Sequence, residues 1–511
     1  MGSILHKIIP SIPWHEYPAL LYGLAYLIGF ANGINPAASL LIPFFLIGLS
    51  LFTPASCKLN GIRGCLALAL LLAGFTWAKI GYMVPEVPKD GIAGSALIDI
   101  SSVKELDSHF GNGWVYTGTI EKFYDSQDQL IASRLPFRLL MSESASFARP
   151  GANQHYRVQA MIKTIDNGIA SLKVRKQAIW YPEPFTYSVA EKRFSAKKSF
   201  ESYITQYYEG ASAKFITGLA TGELNDRLMA NELSRLGVQH LMAVSGFHFS
   251  LAAALLGILA RSIFGPRPAA IAILILLTAY FLFLGPLPSV MRAWIASSIV
   301  FTGLLFAKRT TPLNSLGAAL LISLLYDPMV MYLPGFQFSF LVTASIILLY
   351  KPFEKGAGLI FPKRPLSIIS EMSLLDQHAY LLLTFFKKTL ALGFAVNAAA
   401  LPLTLYYFQK FPLISLIWNL FFPFLAGLAI TLLLLGLLLT VISPLASLIH
   451  SLNDTYIAYI LHLINAIPLG AEYWVYNDQL AGSLLVLYFS ILFLLCFYQK
   501  KNQEELIQFY Y

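Results

Sequence analysis

Long apolar runs dominate the chain and are separated by short polar or basic stretches. Near the N-terminus they cover about 19–34, 37–53 and 62–80. After a polar interval they resume at about 241–262, 268–284, 289–306, 313–326, 336–350, 375–408, 412–443, 446–467 and 481–498. Pro402 and Pro423 are candidate breaks in two of the longer runs. Since about 20 apolar residues can cross a bilayer as a helix, the pattern predicts a polytopic α-helical membrane protein with about 10–12 spans.

Residues 90–185 have a different pattern, in which apolar and polar positions alternate with a period of two. Such alternation indicates half-buried β-strands. Asp166-Asn167-Gly168 lies between two of these runs and is a hairpin signal. Several short strands in so short a segment predict a small β-barrel insert, for which the OB-fold is one candidate. The predicted strands are Trp114–Tyr124, Phe137–Met141, Tyr156–Ile165 and Ile169–Val174.

These patterns divide the chain into five regions. Residues 1–85 hold N-terminal transmembrane helices and 90–185 the β-rich insert. Residues 186–238 are amphipathic, and their aromatic positions suit either an interfacial helix or plain packing. The main membrane block covers 239–499, and 500–511 is a short tail.

Composition supports the membrane class. Hydrophobic residues make up 57% of the 511 positions and charged residues 12%, which argues against an ordinary soluble protein. The net charge of +9 suits either nucleic-acid binding or an excess of basic residues in cytoplasmic loops. The positive-inside rule places the insert outside the cytoplasmic (inner) membrane and the C-terminus in the cytoplasm. The basic loop residues are Lys58, Arg63, Arg261, Arg267, Lys308, Arg309, Lys351, Lys355, Lys363, Arg364, Lys500 and Lys501.

The insert is locally basic. Between Arg134 and Lys176 it holds eight basic residues against Glu143 and Asp166, a balance of +6, with aromatic residues interleaved. Basic and aromatic side chains on a small barrel could pair with phosphates and stack on bases of single-stranded nucleic acid. The alternative is a solvated surface over an aromatic core. The candidate DNA-binding residues are Arg134, Arg138, Arg157, Lys163, Lys173, Arg175 and Lys176.

Polar residues inside apolar segments are the best functional pointers in a membrane protein. The stretch from His240 to Ser250 opens a long apolar run, and helical spacing would place His240, Val244 and His248 on one face. Alternatives remain for two others: Arg292 could snorkel to the interface, and Asp327 could cap a loop. The candidate pathway residues are His240, Ser245, Gly246, His248, Arg292, Asp327, Gln337, Ser339, Asn397 and Asn419.

Motif tests argue against catalysis, metal binding and nucleotide hydrolysis by this chain. His240, Ser245, His248 and Asp327 have the residue types of a hydrolase, but GxSxG, HExxH, Walker A and GxGxxG sequences are absent. Cys57, Cys65 and Cys496 form no CxxC pair, so no cofactor or metal is expected. A membrane hydrolase and a small-solute transporter remain as rival interpretations of the polar positions.

Several motifs together resemble those of the ComEC family of competence proteins. His240-Leu241-Met242-Ala243-Val244-Ser245-Gly246-Phe247-His248 is similar to that family's HLLAISGLH signature. Further elements follow in the family's order, and the resemblance covers essentially the whole chain. They are Ala220-Thr221-Gly222-Glu223, Gly285–Ala293 with Ser289 and Arg292, Asp327-Pro328, Gly335–Phe340 and Asn419 with Pro423.

The resemblance implies a channel that brings single-stranded DNA across the bacterial cytoplasmic membrane, with the insert as an extracytoplasmic OB domain. It implies that the pathway candidates line or brace the route. Many family members continue into a metallo-β-lactamase-like domain, but no HxHxDH motif occurs here. The expected partners are therefore single-stranded DNA, the lipid bilayer, an extracytoplasmic DNA receptor, a separate nuclease, a cytoplasmic helicase-like motor and a second copy of the chain.

Overall fold

The computed structural model describes residues 17–35, 58–106, 113–142, 149–174, 178–308, 310–468, 473–477 and 480–493. The apolar run at 37–53, the candidates Arg175 and Lys176, and the tail at 500–511 lie outside the described residues. In the described ranges a β-barrel lies in the sequence between N-terminal helices and a larger helical block.

Helices account for most of the described chain. Those described before the barrel are α1 (Pro18–Ile34) and α2 (Lys58–Gly81), and the barrel is followed by α3 (Ala190–Ile204), α4 (Gly210–Thr221) and α5 (Arg227–Arg235). The later helices are α6 (Gly246–Phe264), α7 (Pro266–Leu284), α8 (Pro288–Leu305), α9 (Pro312–Tyr326), α10 (Pro334–Ile360), α11 (Leu366–Glu371), α12 (Leu374–Phe408), α13 (Ser415–Leu438), α14 (Ser443–Asn465) and α15 (Gly482–Phe493).

Seven helices in the described part of the chain are long and apolar enough to cross a membrane: α2, α6, α7, α8, α10, α12 and α13. The shorter apolar helices α1, α9 and α15 pack among them. The close approach of α1 to α2 depends on small residues, since a Cβ on Gly29 would lie 2.0 Å from the backbone oxygen of Leu71. The prediction of a polytopic helical membrane protein with a small β domain is confirmed.

The β-rich insert is a closed barrel of five strands. The strands are β1 (Ile92–Leu106), β2 (Gly113–Asp125), β3 (Leu130–Ser142), β4 (Tyr156–Asp166) and β5 (Ile169–Val174). Their order is β1-β2-β3-β5-β4, and a β1–β4 pairing closes the barrel. The β3–β5 pair is parallel and the other pairs are antiparallel, which is the strand order of an OB-fold. A short strand, β6 (Tyr181–Pro182), extends β4.

The barrel core continues into the helical block. Inward residues such as Ile98, Tyr116 and Phe137 are buried in it. Phe30 of α1 and Met329 belong to the same apolar cluster, so one core joins the barrel to the helices below it. Met329 lies on a 3₁₀ turn (Pro328–Tyr332) that precedes α10.

Two sequence expectations about helices are wrong in detail. Pro402 and Pro423 do not break their segments, because α12 and α13 continue through them. Proline is tolerated within packed membrane helices, where neighbours satisfy the freed backbone groups. The predicted helical face shared by His240 and His248 also does not form. His240 lies on a separate 3₁₀ turn (Gln239–Leu241), and Ser245 starts α6 afresh.

Helices α3, α4 and α5 connect the barrel to the main block. Helix α4 packs against α13 and α14, with Phe215 and Leu219 fully buried in their shared core. Its C-terminus ends at Gly222, whose φ of 72° is the left-handed conformation that favours glycine. This arrangement turns the chain back toward the Val244–Ser245 segment, because the Gly222 position lies against Val244.

Candidate functional site

The start of α6 is built by a reciprocal cap. The hydroxyl of Ser245 accepts a hydrogen bond from the backbone N–H of Phe247 at 3.3 Å. The backbone N–H of Ser245 donates to Nδ1 of His248 at 3.2 Å. These two bonds form a capping box with histidine in the place usually taken by glutamate, and they fix where the helix begins. The sequence Ser-Gly-Phe-His thus encodes a rigid, polar helix start.

Helices α8 and α10 bring further polar groups to this helix start. The Ser289 hydroxyl of α8 donates to the backbone oxygen of Val244 at 2.8 Å. One turn later Arg292 donates from Nε to the Ser339 hydroxyl of α10 at 2.6 Å. The Arg292 guanidinium also rests on α6, since a Cβ on Gly246 would lie 3.4 Å from Nη2. Three separate sequence motifs therefore meet at one point.

A second polar contact extends the site to α12. The amide of Gln337 donates from Nε2 to the backbone oxygen of Met331 at 3.0 Å. Its Oε1 accepts a hydrogen bond from the Tyr407 hydroxyl at 2.8 Å. Gln337 and Ser339 are two residues apart near the start of α10, so they point to different sides of that helix, and the contacts to α8 and to α12 lie on either side of it. We call the whole set the polar seam: Ser245, Gly246, His248, Ser289, Arg292, Gln337, Ser339 and Tyr407.

The remaining pathway candidates lie apart from the recorded contacts of the polar seam. His240 bonds through Nδ1 to the backbone oxygen of Gly237. The amide of Asn397 donates to Gly393, one turn earlier in α12. The Asn419 side chain is in α13, and its buried Oδ1 has no hydrogen-bond partner among the described residues.

Asp327 caps the 3₁₀ turn that precedes α10. Its Oδ1 accepts from the backbone N–H of Met329 at 3.0 Å. Burial raises the pKa of the Asp327 carboxyl, and the Met329 hydrogen bond opposes that shift. This geometry agrees with the capping alternative for Asp327. The turn that it fixes also touches the barrel, because a Cβ built on Gly168 of the β4–β5 hairpin would lie 3.0 Å from Cβ of Tyr332.

The barrel candidates fall into separate groups. Arg138, Lys163 and Lys173 are exposed on adjacent strands β3, β4 and β5, where Arg138 pairs with Ser171 and Lys173 with Met161. We call these three residues the basic face. Arg134 lies instead over the Trp77 ring at 4.6 Å, beside α2. Arg157 forms an ion pair with Glu183 at 3.2 Å.

Sequence reasoning missed a buried histidine cluster between α14 and the α3–α4 connection. His450 is fully buried, and its two ring nitrogens bond to the hydroxyls of Tyr203 and Tyr208 at 3.1 and 2.9 Å. Asn453 donates to the same Tyr208 hydroxyl at 2.9 Å. Burial raises the pKa of Tyr208 to about 12. His450 and Asn453, three apart in an apolar run, were the available signal.

Sequence reasoning also missed Ser289 and Tyr407 as members of the polar seam. Ser289 was visible in the motif that contains Arg292, but Tyr407 carried no signal of its own. No group of three or more histidine, cysteine, aspartate or glutamate side chains that could hold a metal ion occurs in the described part of the chain. The polar seam itself offers hydroxyl and amide groups and one guanidinium, so it is suited to hydrogen bonding and to binding negative charge.

Comparisons with known proteins agree on one family. The profile of the Competence protein family matches residues 220–502, which include the whole polar seam. ComE operon protein 3 of Bacillus subtilis (strain 168) is 29% identical over 336 residues. That match covers 64% of this chain and 39% of the relative, so it spans about two fifths of the relative's length. No solved structure matches the chain.

Proposed function

The chain belongs to the Competence protein family, and on that premise we propose that it is a channel for single-stranded DNA in the cytoplasmic membrane. The observation that carries the proposal is the polar seam, which joins α6, α8, α10 and α12 inside a block of apolar helices. Polar groups at membrane depth pair with one another or face a water-filled path, and such positions commonly mark the route of a polar cargo.

The barrel supports the entry step of this proposal. A single strand carries one negative charge per phosphate, and a groove with basic residues attracts it without reading its sequence. The basic face supplies three cations that are exposed on neighbouring strands. The positive-inside rule favours an outward-facing barrel and a cytoplasmic C-terminus. DNA would then meet the barrel before the helical block.

Other parts of the uptake process fall to partners in this proposal. A receptor outside the membrane would deliver DNA, a separate nuclease would remove the second strand, and a helicase-like motor in the cytoplasm would pull the strand inward. A second copy of the chain is a further candidate partner. The polar seam would bind the moving strand weakly, because a conducting path must release what it binds.

The test is uptake of fluorescent DNA into the cytoplasm of cells that carry or lack the gene. The deletion strain is complemented with the wild-type gene, with His248→Leu or with the matched Phe249→Leu. We expect DNA in the cytoplasm with the wild type, and a strong reduction with His248→Leu because both the cap and the buried imidazole N–H of the polar seam are lost. Phe249→Leu keeps the cap and controls for a change of packing in the same turn. Equal entry of DNA into the deletion strain would refute the channel function.

A further inference from the structure

Arg292 is a cation in the polar seam that has no carboxylate partner among the described residues. Its Nε is bonded to the neutral Ser339 hydroxyl, and within the described residues no carboxylate lies within ion-pair distance of it. Lys197 shows the usual arrangement, since it is buried and pairs with Glu223 at 2.6 Å. A charge held inside an apolar block normally has an ionic partner, and Arg292 lacks one.

The Arg292 guanidinium lies beside the N-terminus of α6, where a second positive charge is unfavourable. Its Nη2 lies against Gly246, the first residue of α6. A helix N-terminus carries partial positive charge, so it favours anions and disfavours a neighbouring cation. The buried Lys387 shows the opposite, favourable case, because it donates to the backbone oxygen of Phe361 at the end of α10. Arg292 and the α6 start repel one another unless an anion lies between them.

His248 supplies an independent sign of an absent acceptor. The side chain is 3% exposed, and its Nε2 has no hydrogen-bond partner among the described residues. Its Nδ1 accepts the backbone N–H of Ser245, so in the neutral ring the proton is on Nε2. A buried N–H donor without an acceptor costs free energy. His248 is on the first turn of α6, the helix whose N-terminus Arg292 faces.

We propose that Arg292 and the N-terminal turn of α6 form a binding site for one phosphodiester group of the DNA backbone. The ligand chemistry follows from the donors, which are the Nη groups of the Arg292 guanidinium and the imidazole N–H of His248, beside the positive end of the α6 dipole. A planar guanidinium pairs well with the oxygens of a phosphate. Ser339 holds Nε and so directs the Nη groups toward α6. This inference rests on the proposed function and names the cargo group that the polar seam binds.

The experiment uses the full chain in nanodiscs of one fixed phospholipid composition. Binding of a fluorescent oligothymidylate is compared with binding of the same sequence carrying neutral methylphosphonate linkages, over a series of salt concentrations. The variants are Arg292→Gln, Arg292→Lys and Lys355→Gln. The last removes an exposed cation from α10 and leaves the polar seam intact.

We expect Arg292→Gln to weaken binding of the phosphodiester strand roughly tenfold and to lower the salt slope by about one. Its preference for charged over neutral linkages narrows, because one charged contact is lost. Arg292→Lys keeps the charge and recovers most of the slope, and Lys355→Gln matches the wild type. A merely structural role for Arg292 would weaken binding of both strands equally, and that outcome overturns the inference.

Gly246→Ala tests the same site without a change of charge. The added Cβ would lie in ordinary contact with Nη2 of Arg292, at 3.4 Å, and would occupy space between the guanidinium and the helix start, while alanine keeps the helix. Gly257→Ala is the matched control on α6, where the Cβ meets Ile273 at an ordinary 3.5 Å. We expect only Gly246→Ala to reduce the ratio of affinities for the phosphodiester and methylphosphonate strands.

The remaining outcomes separate this inference from the proposed function. If the wild type binds DNA and Arg292→Gln keeps both the slope and the preference, the phosphodiester site is refuted and the channel function stands. A lipid phosphate bound at Arg292 would give that same result for DNA. If the wild type binds neither strand, both the channel function and the site are refuted.

Discussion

Single residues in the polar seam make more than one contact. Ser245 both caps α6 and lies one residue from Gly246, against which Arg292 packs. The serine and His248 also have the residue types of a hydrolase, and their Oγ and Nδ1 atoms are 3.4 Å apart. However, that same Nδ1 accepts the Ser245 backbone N–H at 3.2 Å, so it is engaged in the cap. The cap interpretation and the hydrolase interpretation make different predictions for one substitution.

Ser245→Ala removes the hydroxyl that accepts the Phe247 N–H. Loss of an N-cap costs about 1 kcal/mol of stability. We therefore expect a slightly lower unfolding temperature and DNA uptake reduced by less than about tenfold. Ser250→Ala, an exposed serine on the same helix, is the matched control. Complete loss of activity in a correctly folded Ser245→Ala protein would instead favour the hydrolase.

At the scale of elements, the basic residues of the barrel fall into two groups, one exposed without a described partner and one engaged in contacts. Arg138, Lys163 and Lys173 point away from the apolar core, so all three lie on the outer surface of the adjacent strands β3, β4 and β5. Arg134 and Arg157 have the same charge but are engaged by Trp77 and Glu183. Cations without such partners are freer to contact phosphates, which makes the basic face the better candidate for DNA.

Reversing the charge of the basic face should weaken DNA binding by the full chain. The triple variant Arg138→Glu, Lys163→Glu, Lys173→Glu is expected to lose at least about tenfold in affinity for oligothymidylate. The salt slope should fall by about two to three, one for each lost phosphate contact. Lys122→Glu on β2, outside this face, is the control and should change the slope by at most about one. Unchanged affinity in the triple variant would remove the basic face from the DNA route.

At the scale of the whole molecule, several contacts attach the barrel to the helical block. Arg149 donates to Glu191 of α3 at 3.0 and 2.5 Å, and Glu191 also accepts the Ala152 N–H at 2.8 Å. Arg193 of α3 donates to backbone oxygens of Leu282 in α7 and Ser101 in β1. Helix α3 therefore bridges the barrel to α7. If a DNA strand passes from the barrel to the helical block, these contacts would hold the two in a fixed relative orientation.

The Glu191 contact should make the attachment of the barrel sensitive to acid. Burial raises the pKa of the Glu191 carboxyl. The hydrogen bonds from Arg149 and Ala152, together with the positive charge of Arg149, lower that pKa by more, so it lies below its usual 4.5. A carboxyl with a lowered folded-state pKa stabilises the fold above its usual pKa. That stabilisation is lost as the pH falls from about 5 through the folded-state pKa.

Hydrogen exchange of the 149–152 segment in the full chain measures this effect. In the wild type we expect the protection of this segment, corrected for the intrinsic pH dependence of exchange, to decrease at pH values below about 5. In Glu191→Gln the protection is lower at neutral pH and loses its acid dependence. Asp90→Asn, an exposed acid at the start of the barrel, is the control and should behave as the wild type does. An acid dependence that survives in Glu191→Gln would assign it to another group.

Local patterns in the sequence determined the class of the fold and most of its elements. Apolar runs of sufficient length predicted the long helices, and alternation predicted β2, β4 and β5 nearly to their ends. Both signals arise from neighbours along the chain. Strand β1 was missed because Ile92–Leu106 is rich in small and polar residues, and its pairing with β2 and β4 comes from barrel closure.

Only the tertiary structure decided which polar residues act together. Arg292 and Ser339 are 47 residues apart in sequence, and His450 is 247 from Tyr203, so no local period links them. The sequence marked Arg292 as unusual but could not show that it faces the start of α6 without a carboxylate. It also placed His240 and His248 on one helical face, whereas the Ser245 cap separates them. The physical reason is that helix packing, and not spacing along the chain, brings these side chains together.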